Sequence, residues 1–231
     1  MLILGMDTAI TSCSVAIWND KSLVSHRSEK MVRGQAESLV PMIVEVLNET
    51  ELKMNNFNLI AVTTGPGAFT GIRIGLATAR AMSVAVNIPC IGLTTTEVIA
   101  HGVDESERKE GALVVGIESK RADIYVQAFQ CSLKPMCDPR AINPSMLGEW
   151  LENAPKPITI VGDAKERATE ELVKRGFKNI NVGLDDVPKA STLVKMAFQR
   201  WNPRVSLAAP SPLYLRQPDA KLPKLEGRLR L

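Results

Sequence analysis

The stretch Gly65-Pro66-Gly67-Ala68-Phe69-Thr70-Gly71-Ile72-Arg73-Ile74-Gly75 joins a β-branched run, residues 59–64, to an apolar helical run. A glycine-rich turn between a strand and a helix leaves backbone amides free to cradle an anion. The stretch lacks both the Lys-Ser/Thr pair of a P-loop and the G-x-G-x-x-G spacing, so a cradle and a turn kept for packing both stay open. Gly-Pro-Gly-Ala reads as a type II turn in which Pro66 presets its own φ and Gly67 supplies the positive φ. Thr70 then reads as the N-cap of a helix over 71–86, with Phe69 and Ile74 spaced as a hydrophobic staple. Gly71 and Arg73, at the first and third helical positions, go against propensity and the helix dipole. Local rules broken inside an otherwise consistent segment mark a functional position.

Two acids end strand-like runs. Asp7, followed by Thr8, closes the first, and Glu118, followed by Ser119, closes another in the second half. An acid at such an edge either holds magnesium through water or bonds the amides of its turn. Both turns, 7–12 and 118–123, lack glycine, so a backbone grip on phosphate is degraded at both. Cys13, Cys90, Cys131 and Cys137 form no C-x-x-C pair, and His26 and His101 stand apart. No metal site is expected from them.

The helix over 71–86 must position the loop. Gly71, Gly75 and Ala79 lie four apart as a bare ridge, and Ala77, Ala81 and Ala85 form a second, so another helix can approach closely. Ile72, Ile74, Leu76, Met82, Val84 and Val86 leave only a narrow polar strip through Arg73, Arg80 and Asn87. A helix so widely apolar is either buried in its own domain or shared with a partner. Around it, strand–turn–strand units at 2–18 and 113–129 repeat one layout about half a chain apart. The first continues into a strand near 21–27, a helix over 35–47, the strand at 59–64, the helix 71–86, a strand at 88–93 and a helix capped by Thr94 with Glu97. The second continues less completely, with a helix over 145–152, a strand at 158–161 and a helix over 164–175 stopped by Gly176. The hydrophilic stretch 104–111 is the natural linker, and the order of elements implies two α/β lobes of mixed sheet covered by helices.

With 231 residues, 45% hydrophobic and 23% charged, the chain has material for one large core or two small ones. A net charge of +3 is too mild for a stand-alone nucleic-acid binder. The N-terminus reaches Asp7 without a basic n-region, and no apolar run is long enough for a bilayer, so the cytoplasm is the expected compartment. The tail holds Lys221, Lys224, Arg228 and Arg230 against Asp219 and Glu226, and reads as a basic arm, either solvated or resting on RNA phosphates.

The loop string, with Met6-Asp7-Thr8, Glu37-Ser38-Leu39-Val40-Pro41 and Pro212-Leu213-Tyr214-Leu215-Arg216, resembles the bacterial TsaB (YeaZ) family along the chain, thinning after about Ile142. The resemblance implies a duplicated actin-like/ribonuclease-H-like ATPase (ASKHA) fold. Its N-terminal lobe would be 1–103 with partner-binding helices, its C-terminal lobe 104–216, and 217–231 a basic flexible tail. It further implies a non-catalytic scaffold of the tRNA threonylcarbamoyladenosine transferase complex. There a TsaD-type paralogue carries the metal and transfers threonylcarbamoyl to tRNA, and a TsaE-type ATPase joins them. ATP and metal would be used by those subunits, with no cofactor on the isolated chain, tRNA met through the complex, no membrane, and a homodimer when alone. The paralogue's H-x-x-x-H pair has no counterpart, since 35–39 reads Gln35-Ala36-Glu37-Ser38-Leu39. A metallopeptidase therefore has no ligands to rest on, and no catalytic residue is expected.

The partner interface so implied comprises Leu39, Met42, Ile43 and Val46 of the first helix with Phe69, Thr70, Gly71, Arg73, Ile74, Gly75 and Ala79. Arg73 at this seam would bind an acidic partner residue or a nucleotide, or else be a solvated arginine. Asp7, Thr8 and Glu118 are the other nucleotide-side candidates. On this reading Gly75→Leu blocks assembly and leaves the monomer folded. The rival reading is a stand-alone ATP-dependent phosphotransferase of the actin-like/sugar-kinase class, using Asp7 and Glu118 as its acids.

Overall fold

The computed structural model describes residues 1–108, 110–205 and 208–216. β1 (Leu2–Asp7), β2 (Ser12–Asn19) and β3 (Ser22–Lys30) form an antiparallel meander, followed by α1 (Gln35–Thr50), β4 (Leu59–Thr63), α2 (Phe69–Val86), β5 (Cys90–Leu93) and α3 (Thr95–Gly102). The second half repeats the meander as β6 (Ala112–Glu118), β7 (Ile124–Gln130) and β8 (Arg140–Ile142). It goes on through α4 (Leu147–Trp150), β9 (Ile158–Val161), α5 (Lys165–Lys174), β10 (Ile180–Val182) and α6 (Ala190–Arg200). The strand orders are β3-β2-β1-β4-β5 and β10-β9-β6-β7-β8. In each sheet the first strand pairs antiparallel with the second and parallel with the fourth, Ile3 opposite Leu59 in one and Ala112 opposite Ile158 in the other. The duplicated layout is thus present strand for strand.

Side-chain alternation along each strand sorts the core into layers. Leu4 and Met6 point to one face of the first sheet, where Ile60 and Val62 join Leu39, Ile43 and Val46 of α1 and Ile72 and Leu76 of α2. Ile3 points to the other face, where Leu59 and Ala61 meet Leu193, Val194 and Ala197 of α6. The second sheet packs Val114, Val126 and Ile160 against Leu147 of α4 and Ala168 and Leu172 of α5. Its opposite face carries Leu113, Val115 and Ile117 against Ile99 and Val103 of α3. α3 and α6 therefore fill the space between the two sheets, and α1 with α2 covers the outside of the first. α3 begins as its sequence requires, the Thr94 hydroxyl accepting from the Glu97 amide and the Glu97 carboxylate returning to Thr94.

Three elements lie beyond the sequence reading. β8 and β10 are three-residue edge strands, and α6 is a full helix whose apolar residues Ala190, Leu193, Val194 and Ala197 follow helical spacing. α6 comes after the second sheet's strands yet packs on β1 and β2, where a Cβ on Gly5 would lie 2.4 Å from Val194 Cγ1. Residues 208–216 return to the first lobe as well, the Leu213 amide donating to the Thr64 carbonyl at 2.8 Å. The basic arm at 217–231 lies outside the described residues. Among the described residues no helix is long and apolar enough to cross a membrane. Because Leu193 is fully buried between the sheets, Leu193→Ala is expected to cost about 2–5 kcal/mol, read as a lowered midpoint in urea unfolding with an unchanged slope.

Candidate functional site

β1 delivers Asp7 to the turn that starts β2, and the carboxylate is wholly buried. Its Oδ1 accepts from Thr63 Oγ at 2.6 Å and from the Ala9 amide at 3.2 Å, and its Oδ2 accepts from Ser12 Oγ at 3.3 Å. Burial pushes its pKa up to about 7, against the smaller pull of those three donors. Of the two readings of this acid, the structure shows the one in which it ties its own turn together. Thr8 is equally buried, its hydroxyl donating to the Gly71 carbonyl at 2.7 Å. The expectation that Asp7 and Thr8 face a nucleotide is corrected: the glycine-rich loop lies on them as a cover.

That cover depends on close backbone approach. The Ala68 amide donates to the Ala9 carbonyl at 2.7 Å, and a Cβ on Gly67 would stand 2.2 Å from the same oxygen. A Cβ on Gly71 would stand 2.1 Å from the Thr8 carbonyl oxygen. The type II turn is not formed. The positive φ belongs to Gly65 at 104°, the Gly65–Pro66 peptide is cis, and Gly67 is needed for room instead. Nor is Thr70 the N-cap, because the helix begins two residues earlier than expected, at Phe69, with Ala68 at the cap and no side-chain bond there. Thr70 sits exposed in the first turn.

The interface residues expected on the two helices mostly face inward. Leu39, Met42, Ile43 and Val46 are core residues, packed between α1 and the first sheet. Gly71, Gly75 and Ala79 are buried on the inner face of α2, where a Cβ on Gly75 would meet Thr8 Oγ at 2.8 Å and Val62 at 3.4 Å. The ridge that stays open is the other one, Ala77, Ala81 and Ala85, with Val84 beside it at 81% exposure. On α1 the matching outward residues are Val40 and Val44. Gln35 is buried at the start of α1 and donates to the carbonyls of Ile10 and Met31 at 3.2 Å.

Phe69 and Arg73 remain at the surface, but not as a staple and a bare cation. The Arg73 guanidinium lies 3.6 Å from the Phe69 ring centroid, and its Nε donates to Tyr214 Oη at 2.8 Å. Tyr214 in turn stacks on Phe69 at 5.5 Å between centroids. Ile74 is half-buried beside them. Tyr214, within the string Pro212-Leu213-Tyr214-Leu215-Arg216, is thus the residue that orients Arg73. Across a cleft of about 1010 Å³ lies the β6–β7 turn. Glu118 there holds Arg167 at 3.1 Å, and its amide donates to Asp163 at 2.8 Å. Burial raises the Asp163 pKa to about 6. Asp7 and Thr8 are therefore sealed beneath the loop, whereas Arg73 and Glu118 reach the surface from different lobes.

Residues 27–138 match the family model of TsaD, tRNA N6-adenosine threonylcarbamoyltransferase. The tRNA threonylcarbamoyladenosine biosynthesis protein TsaB of Escherichia coli (strain K12) is 30% identical over 245 residues, spanning 99% of this chain and 100% of that protein. The structure of YeaZ from Pseudomonas aeruginosa superposes with a TM-score of 0.77 at 20% identity, over 93% of this chain and 99% of that one. The activator of the 2-hydroxyisocaproyl-CoA dehydratase from Clostridium difficile superposes with a TM-score of 0.50 at 11% identity, over 86% of this chain and 95% of that one. With the two repeated sheets, these likenesses make the fold a duplicated actin-like α/β fold of the ASKHA class.

Three outcomes follow from the sealed turn. Gly71→Ala is expected to destabilise the chain by about 1–3 kcal/mol in chemical denaturation, because the added methyl meets a carbonyl oxygen. Gly75→Leu should lose the fold before it loses any assembly. The raised Asp7 pKa gives stability that is full below about pH 4 and is lost as pH rises to about 7, since the unfolded chain releases that proton first. Asp7→Asn should flatten this decline above pH 6 and leave the part due to Asp163, as read from unfolding midpoints across pH 4–8.

Proposed function

Because the chain belongs to the TsaB (YeaZ) family, we propose that it serves tRNA threonylcarbamoyladenosine synthesis as a non-catalytic scaffold. In this reading it pairs with a TsaD-type paralogue and a TsaE-type ATPase, meets tRNA through them, and forms a homodimer when alone. The observation that carries the reading is the chain-long identity to the Escherichia coli protein. The state of the inherited site supports it. Asp7 is spent on its own turn, and Gln35 holds two carbonyls at the position where the catalytic paralogue would need a metal ligand. A stand-alone phosphotransferase would have to open the loop to expose Asp7, at the loss of the Ala68–Ala9 and Thr8–Gly71 bonds.

The surface that remains for a partner is the outer side of the helix pair. Val40 and Val44 on α1, with Ala77, Ala81 and Val84 on α2, make an apolar face whose small residues admit another helix at short range. These residues replace the inward set as the contact we assign. Because they are exposed, they can be changed at little cost to folding.

Co-expression with the organism's TsaD-type paralogue, followed by size-exclusion chromatography with light scattering, is expected to give a stoichiometric complex. Val44→Glu with Ala81→Glu should abolish it, lowering affinity at least tenfold while circular dichroism and melting stay at wild-type values. Separate elution of the two wild-type proteins, with and without ATP, would remove the basis of the scaffold reading.

A further inference from the structure

The outward side of α1 is a narrow apolar strip with an acidic rim. Val40, Pro41 and Val44 are exposed along it, and Glu37, Glu45 and Glu49 flank them. α1 contains no lysine or arginine. Arg27 of β3 is shared by Glu45 and Glu49, which leaves Glu37 without an ion-pair partner among the described residues. The outward side of α2 has the opposite charge, with Arg73 and Arg80 and no acid. Residues 208–216 reach Arg216, which Asp123 holds at 3.2 Å. Arg216 borders the same cleft as Ala36 and Glu37, so the chain leaves this segment beside the first turn of α1.

Residues 217–231 complement α1 in both apolarity and charge. Leu222, Leu225, Leu229 and Leu231 recur through them, and Lys221, Lys224, Arg228 and Arg230 stand beside the leucines against only Asp219 and Glu226. The 16 residues of α1 make a helix about 24 Å long. Residues 217–231 reach about 50 Å when extended, so they span that helix with slack. Like charge disfavours α2 as their seat. We propose that residues 217–231 fold back over the outer side of α1, with leucines on Val40 and Val44 and cations toward Glu37, Glu45 and Glu49. The arm then covers part of the face assigned to the partner, and a partner must displace it. That displacement rests on the scaffold reading; the docking itself does not. The proposal departs from both sequence expectations for this arm, solvation and contact with RNA.

Methyl NMR of the full chain, compared with the full-length variant Lys221→Glu/Lys224→Glu/Arg228→Glu, tests the docking. The Val40 and Val44 methyl signals are expected to shift, those of the core residues Val46 and Val62 to stay, and the melting curves to coincide. Carbodiimide cross-linking of a mixture of isotope-labelled and unlabelled chains should join Lys221 or Lys224 to Glu37, Glu45 or Glu49 within one chain. Unmoved Val40 and Val44 signals, or cross-links found only between chains or only to other acids, overturn the docking. Affinity for the TsaD-type paralogue, titrated separately, should rise about threefold or more in the same variant, since the competing state is removed. Unchanged affinity with the docking observed overturns the displacement alone. Failure of the wild-type pair to associate strikes the scaffold reading and leaves the docking to its own test.

Discussion

The first lobe is organised around a contact that only glycine permits. The β1–β2 turn presents the carbonyl oxygens of Thr8 and Ala9, and the loop into α2 comes down on them so closely that a methyl at 67 or 71 would sit 2.2 or 2.1 Å from an oxygen. Under the loop, Asp7 ties the turn to β4 through Thr63. Strand, turn, loop and helix are locked as one joint, and the carboxylate that could have met a metal or phosphate becomes its internal brace. Burying an acid this way is tolerable because three donors face it, and the cost left over appears as its raised pKa. A chain built thus has exchanged an open phosphate grip for a fixed helix orientation.

That fixed orientation decides which surfaces are left. α1 is apolar on two sides, and only one can face the sheet. Leu39, Met42, Ile43 and Val46, at i, i+3, i+4 and i+7, form the core stripe. Val40 and Val44 are what the core does not use. On α2 the glycines are consumed by the Thr8 turn, so the row Ala77, Ala81 and Ala85 is the one that looks outward. Small residues thus serve two purposes on one helix: the inner row lets a backbone approach from within the lobe, and the outer row leaves a shallow apolar surface beside Val84.

Much of the fold was legible because local pattern and tertiary environment agree. The β-branched run at 59–64 becomes Leu59–Thr63, the run at 158–161 is a strand throughout, and Thr94 with Glu97 caps α3 as its spacing requires. The helical spacing of α6 is equally legible in its apolar residues, whereas the edge strands β8 and β10 are not, since three residues carry no period and pair only because a neighbour is present. The site was misread where the cause lies far along the chain. Gly67 looks like a turn glycine until Ala9 is placed against it, and Thr70 looks like a cap until the helix is seen to start at Phe69. Amphipathic width alone could not say which apolar side of α1 or α2 the sheet would claim.

The two residues that broke helix rules most plainly, Gly71 and Arg73, both answer to neighbours outside the helix. Gly71 is required by the Thr8 carbonyl. Because α2 starts at Phe69, Arg73 is its fifth residue and lies past the first turn, where the dipole's penalty on a cation has fallen off, and it rests on the Phe69 ring and is held by Tyr214. Tyr214 is itself placed by Leu213 bonding Thr64, and Arg80 donates to the Pro210 carbonyl further back along the same segment. Arg216 then crosses to Asp123 of the other lobe. The rule-breaking arginine is thereby an anchor for a strap that spans both lobes and forms one wall of the cleft. An anomaly in local propensity had pointed to chemistry at the loop; in the folded chain it points to how the cleft is held at its width.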